Sequence, residues 1–215
     1  MALDISRASL YTNVMKSTNI TRVPHLVARP ERWRRKGHKG GVLWLTGLPA
    51  AGKKTLAAGL EARLFEQGYD VFAFDSGFMR QGLSRDLGFT REGRRENIRR
   101  AGELAAVMAS AGMVVITAFI APYAADRAAA RKAAENFHEV FLDVPAELCE
   151  ARDPDNRYAR ARAGEIEDFT GVTAPYEAPQ AAEVRLTPTG GAVDTEAWVV
   201  ELTAYVETHF RDLSV

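Results

Sequence analysis

The chain has 215 residues, of which 47% are hydrophobic and 26% are charged, as in an ordinary globular protein. This length provides enough apolar surface for one well-buried domain and leaves little chain for a second. Basic and acidic residues balance at 28 each, so the overall charge does not favour binding to nucleic acid or to an anionic membrane.

Cys149 is the only cysteine, so the chain cannot form an internal disulfide, which fits a reducing cytoplasm. The N-terminus, MALDISRASLYTNVMKS, lacks the continuous apolar core of a signal peptide. No apolar run approaches the roughly 20 residues needed to cross a bilayer. We therefore expect a soluble, cytoplasmic protein without a membrane or nucleic-acid partner.

Residues 1–38 are polar and irregular, and they predict a solvated N-terminal arm ahead of a single domain at 39–215. Short apolar runs rich in β-formers predict strands at 41–47, 70–75, 113–120, 138–144 and 182–188. Helical patterns and stop signals predict helices at 54–68, about 96–111, 124–136, 145–152 and 194–210.

Residues 152–182 are rich in arginine, glycine, aspartate and proline and show little periodicity. A loop of that length inside a compact domain is usually a functional lid. We expect this lid at about residues 155–180.

The alternation of strands and helices predicts an α/β fold with a parallel, doubly wound sheet that is covered on both faces. Ligands of such sheets bind beyond the carboxyl ends of the strands. The loop at 47–55, Asp75 and the segment after Ala118 are all expected at that edge.

The segment GLPAAGKKT, residues 47–55, nearly matches the phosphate-binding pattern G-x-x-x-x-G-K-[ST] through Gly47, Gly52 and Lys53. A glycine-rich turn between a strand and a helix lets backbone N–H groups surround a phosphate, and the helix N-terminus adds its positive dipole. The segment follows a predicted strand and precedes a predicted helix. It is therefore predicted to bind phosphate, with Lys53 reaching the terminal groups.

Lys54 departs from the pattern, because a serine or threonine there normally supplies one oxygen to Mg²⁺. A protonated lysine cannot ligate the ion and repels it. Two interpretations remain open: Mg²⁺ is held through waters and other carboxylates, or Lys54 itself neutralises phosphate charge. Thr55 offers a hydroxyl one position later, where it faces differently on the helix.

With these residues placed, the sequence resembles the adenylylsulfate (APS) kinases between about Ser17 and Pro179. The resemblance is carried by segments that include GHKGGVLWLTGL, RQGLSRDLGF, RENIRR, VVITAFIAPY and ARAGEIEDFTG. It implies a three-layer P-loop kinase fold and a homodimer that takes nucleotide substrates. It also implies a role in sulfate assimilation, with ATP as phosphoryl donor, Mg²⁺ as a cofactor and the 3′-hydroxyl of APS as acceptor.

The resemblance also implies roles for single residues. Lys53 and Asp75 would act in catalysis, and Asp75 would face the metal. The residues implied to bind ATP are Gly47, Gly52, Lys53, Lys54, Thr55 and Arg152. Those implied to bind the acceptor are Arg80, Phe89, Arg94, Asn97 and Phe169, with the two phenylalanines on either side of the adenine.

Several positions depart from the family pattern. Gly77 stands where a second aspartate of the acidic motif is usual, and Phe78 replaces an asparagine. In the lid, Asp155 and Glu167 occupy positions that are commonly lysine. Together with Lys54, these changes remove carboxylate and hydroxyl groups near the metal and reverse two charges in the lid.

Three functions remain open on the sequence alone. The first is ATP-dependent phosphoryl transfer to the 3′-hydroxyl of APS or of a related adenylyl nucleotide. The second is a divergent homologue that binds nucleotide with little kinase activity, which Lys54 and Gly77 favour. The third is a P-loop enzyme with a changed acceptor in specialised biosynthesis, which Phe78 favours as an added apolar wall.

Overall fold

A computed structural model describes residues 25–211. The strands are β1 (Gly41–Gly47), β2 (Val71–Asp75), β3 (Val114–Ala118), β4 (Phe137–Leu142) and β5 (Val184–Leu186). The helices are α1 (Arg29–Lys36), α2 (Lys53–Glu66), α3 (Ser76–Gln81), α4 (Arg91–Ser110), α5 (Ala124–Ala133), α6 (Ala146–Ala151), α7 (Arg157–Arg162) and α8 (Thr195–Phe210). Within residues 25–211, every helix is too short or too polar to span a bilayer.

The five strands form one parallel sheet in the order β2-β3-β1-β4-β5. Strand β1 is central, and its Leu45 pairs with Ala118 of β3 on one side and Val140 of β4 on the other. Every residue of β1 is buried, as expected for a strand with helices on both faces of its sheet. The predicted α/β fold with a parallel, doubly wound sheet is confirmed.

The two faces of the sheet carry separate hydrophobic cores. On one face, helix α2 buries Leu56, Leu60 and Leu64 beside residues of α8. These leucines follow the i, i+4, i+8 spacing that puts side chains on one stripe of a helix. On the other face, Trp44 stacks on Phe119 with ring centroids 5.4 Å apart. Alternation of side chains along β1 therefore supplies both cores.

The structure corrects the sequence prediction at four helices. Helix α1 lies within residues 29–36, which were predicted to be irregular; residues 1–24 of the predicted arm lie outside the described residues. Helices α3 and α7 were not predicted. Helix α4 begins at Arg91, five residues before the predicted Glu96, because the hydroxyl of Thr90 caps it by accepting from the Gly93 amide.

Buried Arg127 holds together several segments around the predicted ligand edge. Its Nε donates to Glu139 Oε1 on β4 at 2.6 Å. Its two terminal nitrogens donate to the carbonyl oxygens of Ala121, after β3, and Glu177, near the end of the predicted lid. One guanidinium thus fixes α5, β4 and two loops with charge-assisted hydrogen bonds.

We predict that Arg127→Met lowers the free energy of unfolding by about 3 kcal/mol, because it leaves a buried carboxylate without its main partner. The value lies at the low end for such a loss, since Arg131 remains 3.6 Å from Glu139. Urea denaturation measures the change. Arg160→Met is the control: Arg160 pairs with Glu165 in solvent, and its loss should cost less than about 1 kcal/mol. Equal effects of the two substitutions would contradict the anchoring role of Arg127.

Candidate functional site

The loop between β1 and α2 forms the glycine-containing turn that the sequence predicts between a strand and a helix. Gly47 and Gly52 have φ angles of 154° and 102°, which residues with a side chain rarely adopt. A Cβ on Gly47 would lie 2.7 Å from the carbonyl oxygen of Leu142, so strand packing also requires glycine there. Ala50 has a φ of 60°, a left-handed conformation that is strained for alanine. The first turn of α2 then begins at Lys53 and directs its N–H groups to the loop.

Lys53 is buried inside this loop. Its ammonium donates to the carbonyl oxygens of Gly47 at 2.9 Å and Leu48 at 2.7 Å. The pKa of Lys53 is lowered to about 7, mainly by burial; Cys149 opposes this shift, and the positive charges of Arg157 and Lys54 contribute to it to a smaller extent. A buried ammonium without an adjacent carboxylate favours an anionic ligand, as the sequence predicts for this lysine.

Lys54 forms an ion pair with Asp75 across the carboxyl end of β3. The Nζ of Lys54 lies 2.6 Å from Oδ2 of Asp75, whose Oδ1 accepts from the Phe78 amide at 2.8 Å. A cavity of about 200 Å³ beside this ion pair is lined in part by the small side chains of Ala73 and Ala118. Burial alone would raise the pKa of Asp75, but the hydrogen bonds from Lys54 and the Phe78 amide outweigh it and lower the pKa.

These donor atoms do not fit a Mg²⁺ ion between the loop and Asp75. Both carboxylate oxygens of Asp75 have partners, and Lys54 supplies N–H donors where a hydroxyl oxygen would stand. Across residues 25–211, no three His, Cys, Asp or Glu side chains lie close enough together to hold a metal ion. The prediction that Asp75 ligates the metal conflicts with this geometry, because the ammonium occupies the side of the carboxylate that a cation would take.

Gly77 and Phe78 lie beside the same ion pair. A Cβ at Gly77 would be 3.1 Å from Asp75 Oδ1 and 3.8 Å from Lys54 Nζ. Phe78 is half exposed, and its ring packs on Phe72 and Phe74 at centroid distances of 5.8 and 6.1 Å. Phe78, which was predicted to add an apolar wall to the acceptor site, therefore lines the cavity beside the Lys54–Asp75 ion pair. It does not line the separate cavity that contains Arg80 and Asn97.

The other residues predicted to bind ATP are less closely grouped. The guanidinium nitrogens of Arg152 lie 3.7 and 3.9 Å from the position of a Cβ at Gly52, so Arg152 covers the phosphate loop. Thr55 is exposed on the first turn of α2.

A second cavity of about 210 Å³ adjoins the phosphate loop at Pro49. It brings together all the residues predicted to bind the acceptor, namely Arg80, Phe89, Arg94, Asn97 and Phe169. Two of its polar atoms, Arg80 Nε and Asn97 Oδ1, are buried without a hydrogen-bond partner among the described residues. Buried polar groups are nearly always satisfied in proteins, so these two atoms indicate a polar ligand.

Arg94 joins the two aromatic walls of the cavity. Its Nε donates to the carbonyl oxygen of Phe89 and its Nη1 to that of Asp168, at 2.8 and 2.7 Å. Phe89 is 70% exposed and stacks under the guanidinium of Arg80, 4.3 Å from the ring centroid. Phe169 is buried against Tyr158, so it belongs to the core as well as to the cavity wall.

Arg157 is a cavity residue that the sequence analysis did not identify. It stands at the start of α7 and lines the 210 Å³ cavity. Its Nε donates to Asp153 at 2.9 Å and lies 3.6 Å from Asp155, one of the reversed lid charges. In the sequence, the one sign of a role for Arg157 was its position two residues after Asp155 in the predicted lid.

The chain is similar in sequence and fold to known adenylylsulfate kinases. A family model described as adenylylsulphate kinase matches residues 39–187. The adenylyl-sulfate kinase of Shewanella amazonensis is 46% identical over 184 residues, covering 85% of this chain and 92% of the relative. That of Marinobacter nauticus is 46% identical over 192 residues, covering 88% and 96%. The solved APS kinase of Mycobacterium tuberculosis, in complex with AMPPNP and APS, is 40% identical with a TM-score of 0.74, covering 79% of this chain and 98% of that one.

We predict that nucleotide binding at about pH 8 is accompanied by proton uptake at Lys53. Because the pKa of Lys53 is about 7, its side chain is mostly neutral at that pH in the ligand-free protein. A bound phosphate stabilises the ammonium and so raises this pKa. Calorimetric titration with ADP in buffers of different ionisation enthalpy measures the uptake. Lys53→Met should remove the buffer dependence, and Lys132→Met, on the exposed side of α5, should keep it. A buffer-independent enthalpy in the unchanged protein would refute the prediction.

Proposed function

The chain belongs to the adenylylsulphate kinase family, and on that premise we propose that it transfers the γ-phosphoryl group of ATP to the 3′-hydroxyl of APS. The product would be 3′-phosphoadenylylsulfate, an activated form of sulfate. The observation that carries the proposal is the cavity with two unpartnered buried polar atoms next to the phosphate loop.

The arrangement of the two sites supports transfer between two nucleotides. Pro49 belongs both to the phosphate loop and to the cavity wall, so a phosphate held by the loop lies beside a ligand in the cavity. Phosphoryl transfer depends mostly on positioning and on charge stabilisation. Donor and acceptor held in adjoining sites meet the first requirement, and the ammonium of Lys53 contributes to the second.

The cavity has the chemistry that an adenylylsulfate requires. Arginine guanidinium groups bind phosphate and sulfate oxygens in a forked geometry. We propose that Arg80 and Arg94 face the phosphosulfate and that Asn97 contacts the ribose. Phenylalanine faces suit a purine ring, which supports Phe89 and Phe169 as the adenine walls.

On the donor side, we propose that Gly47, Gly52 and Lys53 bind the phosphates of ATP and that Arg152 lies toward the adenine. Gly77 leaves no carboxylate where the family usually has a second aspartate, the residue that we propose would otherwise act as a base, and Asp75 is held by Lys54. Loss of a general base typically slows a reaction by about 10²–10⁴-fold. We therefore expect slow turnover with intact binding.

A second function, nucleotide binding with little kinase activity, is favoured by the Lys54–Asp75 ion pair. A changed acceptor has less support, since Phe78 lies outside the acceptor cavity. We further propose that the chain acts in the cytoplasm as a homodimer. A related APS kinase from Thiobacillus denitrificans is described as hexameric, so the mass in solution tests the dimer directly.

Incubation of the purified protein with ATP, Mg²⁺ and APS tests the proposed function. Formation of ADP and 3′-phosphoadenylylsulfate in equal amounts is the expected result. Tight nucleotide binding without turnover would instead establish the second function. ADP formation that requires some other acceptor would establish a changed acceptor.

We predict that Phe89→Ala raises the KM for APS by about tenfold, because stacking on an aromatic ring contributes about 1–3 kcal/mol per base. Binding of ATP should stay within about twofold, since Phe89 does not border the phosphate loop's lysine. Steady-state kinetics separate the two constants. Phe65→Ala is a matched control, because Phe65 is 72% exposed, as Phe89 is 70% exposed, but lies at the far end of α2. A similar KM for APS in both variants would show that Phe89 does not contribute to binding the acceptor.

A further inference from the structure

The first turn of α2 carries two lysines and no acidic residue. A helix N-terminus is itself positive, so adjacent cations destabilise it unless an anion lies nearby. Among the described residues, the ammonium of Lys53 donates to carbonyl oxygens, whereas that of Lys54 pairs with the carboxylate of Asp75. With Arg152 over the loop, three basic side chains surround the phosphate loop, and Asp75 pairs with one of them. This charge suits a polyanion that arrives without its own cation.

Lys54 and Gly77 are two parts of one local change. A Cβ at position 77 would lie 3.1 Å from Asp75 Oδ1, so an aspartate there would bring a second carboxylate near Asp75, and two nearby carboxylates resist ionising together unless a cation balances them. The acidic motif of the resembling family would supply two carboxylates, whose charge a divalent cation balances. Here the Lys54 ammonium pairs with the Asp75 carboxylate, in a cavity that Glu61 also lines.

The two side chains of the ion pair differ in how exposed they are and in how tightly they are held. Asp75 is fixed, because it caps α3 through the Phe78 amide and its side chain is only 22% exposed. The side chain of Lys54 is 73% exposed, and its ammonium carries three N–H donors. One donor faces Asp75 at 2.6 Å, which leaves two N–H groups for another acceptor, such as a phosphate oxygen.

We propose that the Lys54 ammonium, held by Asp75, takes the place of the divalent cation beside the terminal phosphates of a bound nucleotide. The proposal rests on the proposed function for the identity of the ligand, a nucleoside di- or triphosphate. It requires no metal ligand from Asp75. Its direct consequence is that the chain binds nucleotide without Mg²⁺.

Calorimetric titration with ADP, in excess EDTA and in excess Mg²⁺, tests the proposal without any acceptor or turnover. The unchanged protein should bind ADP with dissociation constants that agree within about threefold between the two conditions. Lys54→Met should weaken binding in EDTA by about tenfold or more, because it keeps the length of the side chain and removes its charge. Lys132→Met removes one positive charge from the exposed side of α5 and should leave binding unchanged.

The double substitution K54S/G77D is the converse test. It supplies a hydroxyl at the P-loop position and a second carboxylate beside Asp75, so Mg²⁺ should tighten ADP binding by about tenfold or more. Thermal unfolding shows whether this variant folds, and Lys54→Met gives an independent result if it does not.

The outcomes separate this inference from the proposed function. Binding by the unchanged protein that Mg²⁺ tightens tenfold, with no effect of Lys54→Met in EDTA, overturns the inference and leaves the proposed function standing. Metal-independent binding without any transfer to APS supports the inference and overturns the proposed function. Absence of ADP binding under both conditions overturns both.

Discussion

The site depends on the position of β1 at the centre of a parallel sheet. Because β1 pairs with β3 on one side and β4 on the other, the carboxyl ends of all three strands meet at one edge. The phosphate loop follows β1 directly, and the acceptor cavity is lined by the segment after β3. Arg127 fixes that segment to β4 and to the end of the lid. Strand pairing and the hydrogen bonds of Arg127 therefore both help to place the phosphate loop beside the cavity.

Much of this arrangement could be predicted from the sequence, because it follows from local patterns. The apolar run at 41–47 and the glycines of the following loop identify β1 and the turn, and strand alternation predicts the parallel sheet. The helices α3 and α7 could not be predicted, since six-residue helices show less than two turns of periodicity. For α1, the proline near its start and Gly37 at its end were usable signals.

The Lys54–Asp75 contact is the part of the site that no local pattern could reveal. Asp75 ends β2, and the loop with Lys54 follows β1, so β3 lies between them in the sheet. Contact is possible because a long side chain crosses the end of β3 above small residues, Ala118 and Ala73. The sequence already indicates that Lys54 and Gly77 both remove groups expected near the metal, but it does not show that Lys54 contacts Asp75. In the structure they surround one carboxylate, and together they change how phosphate charge is balanced while the acceptor cavity is kept.

A crystal structure of the protein grown with ADP and Mn²⁺ tests this account most directly, because anomalous scattering locates the metal without reference to the protein atoms. The account predicts that Lys54 Nζ contacts both Asp75 and a phosphate oxygen, with no anomalous peak between the phosphate loop and Asp75. A Mn²⁺ ion bound to Asp75, with Lys54 turned away into solvent, would contradict it.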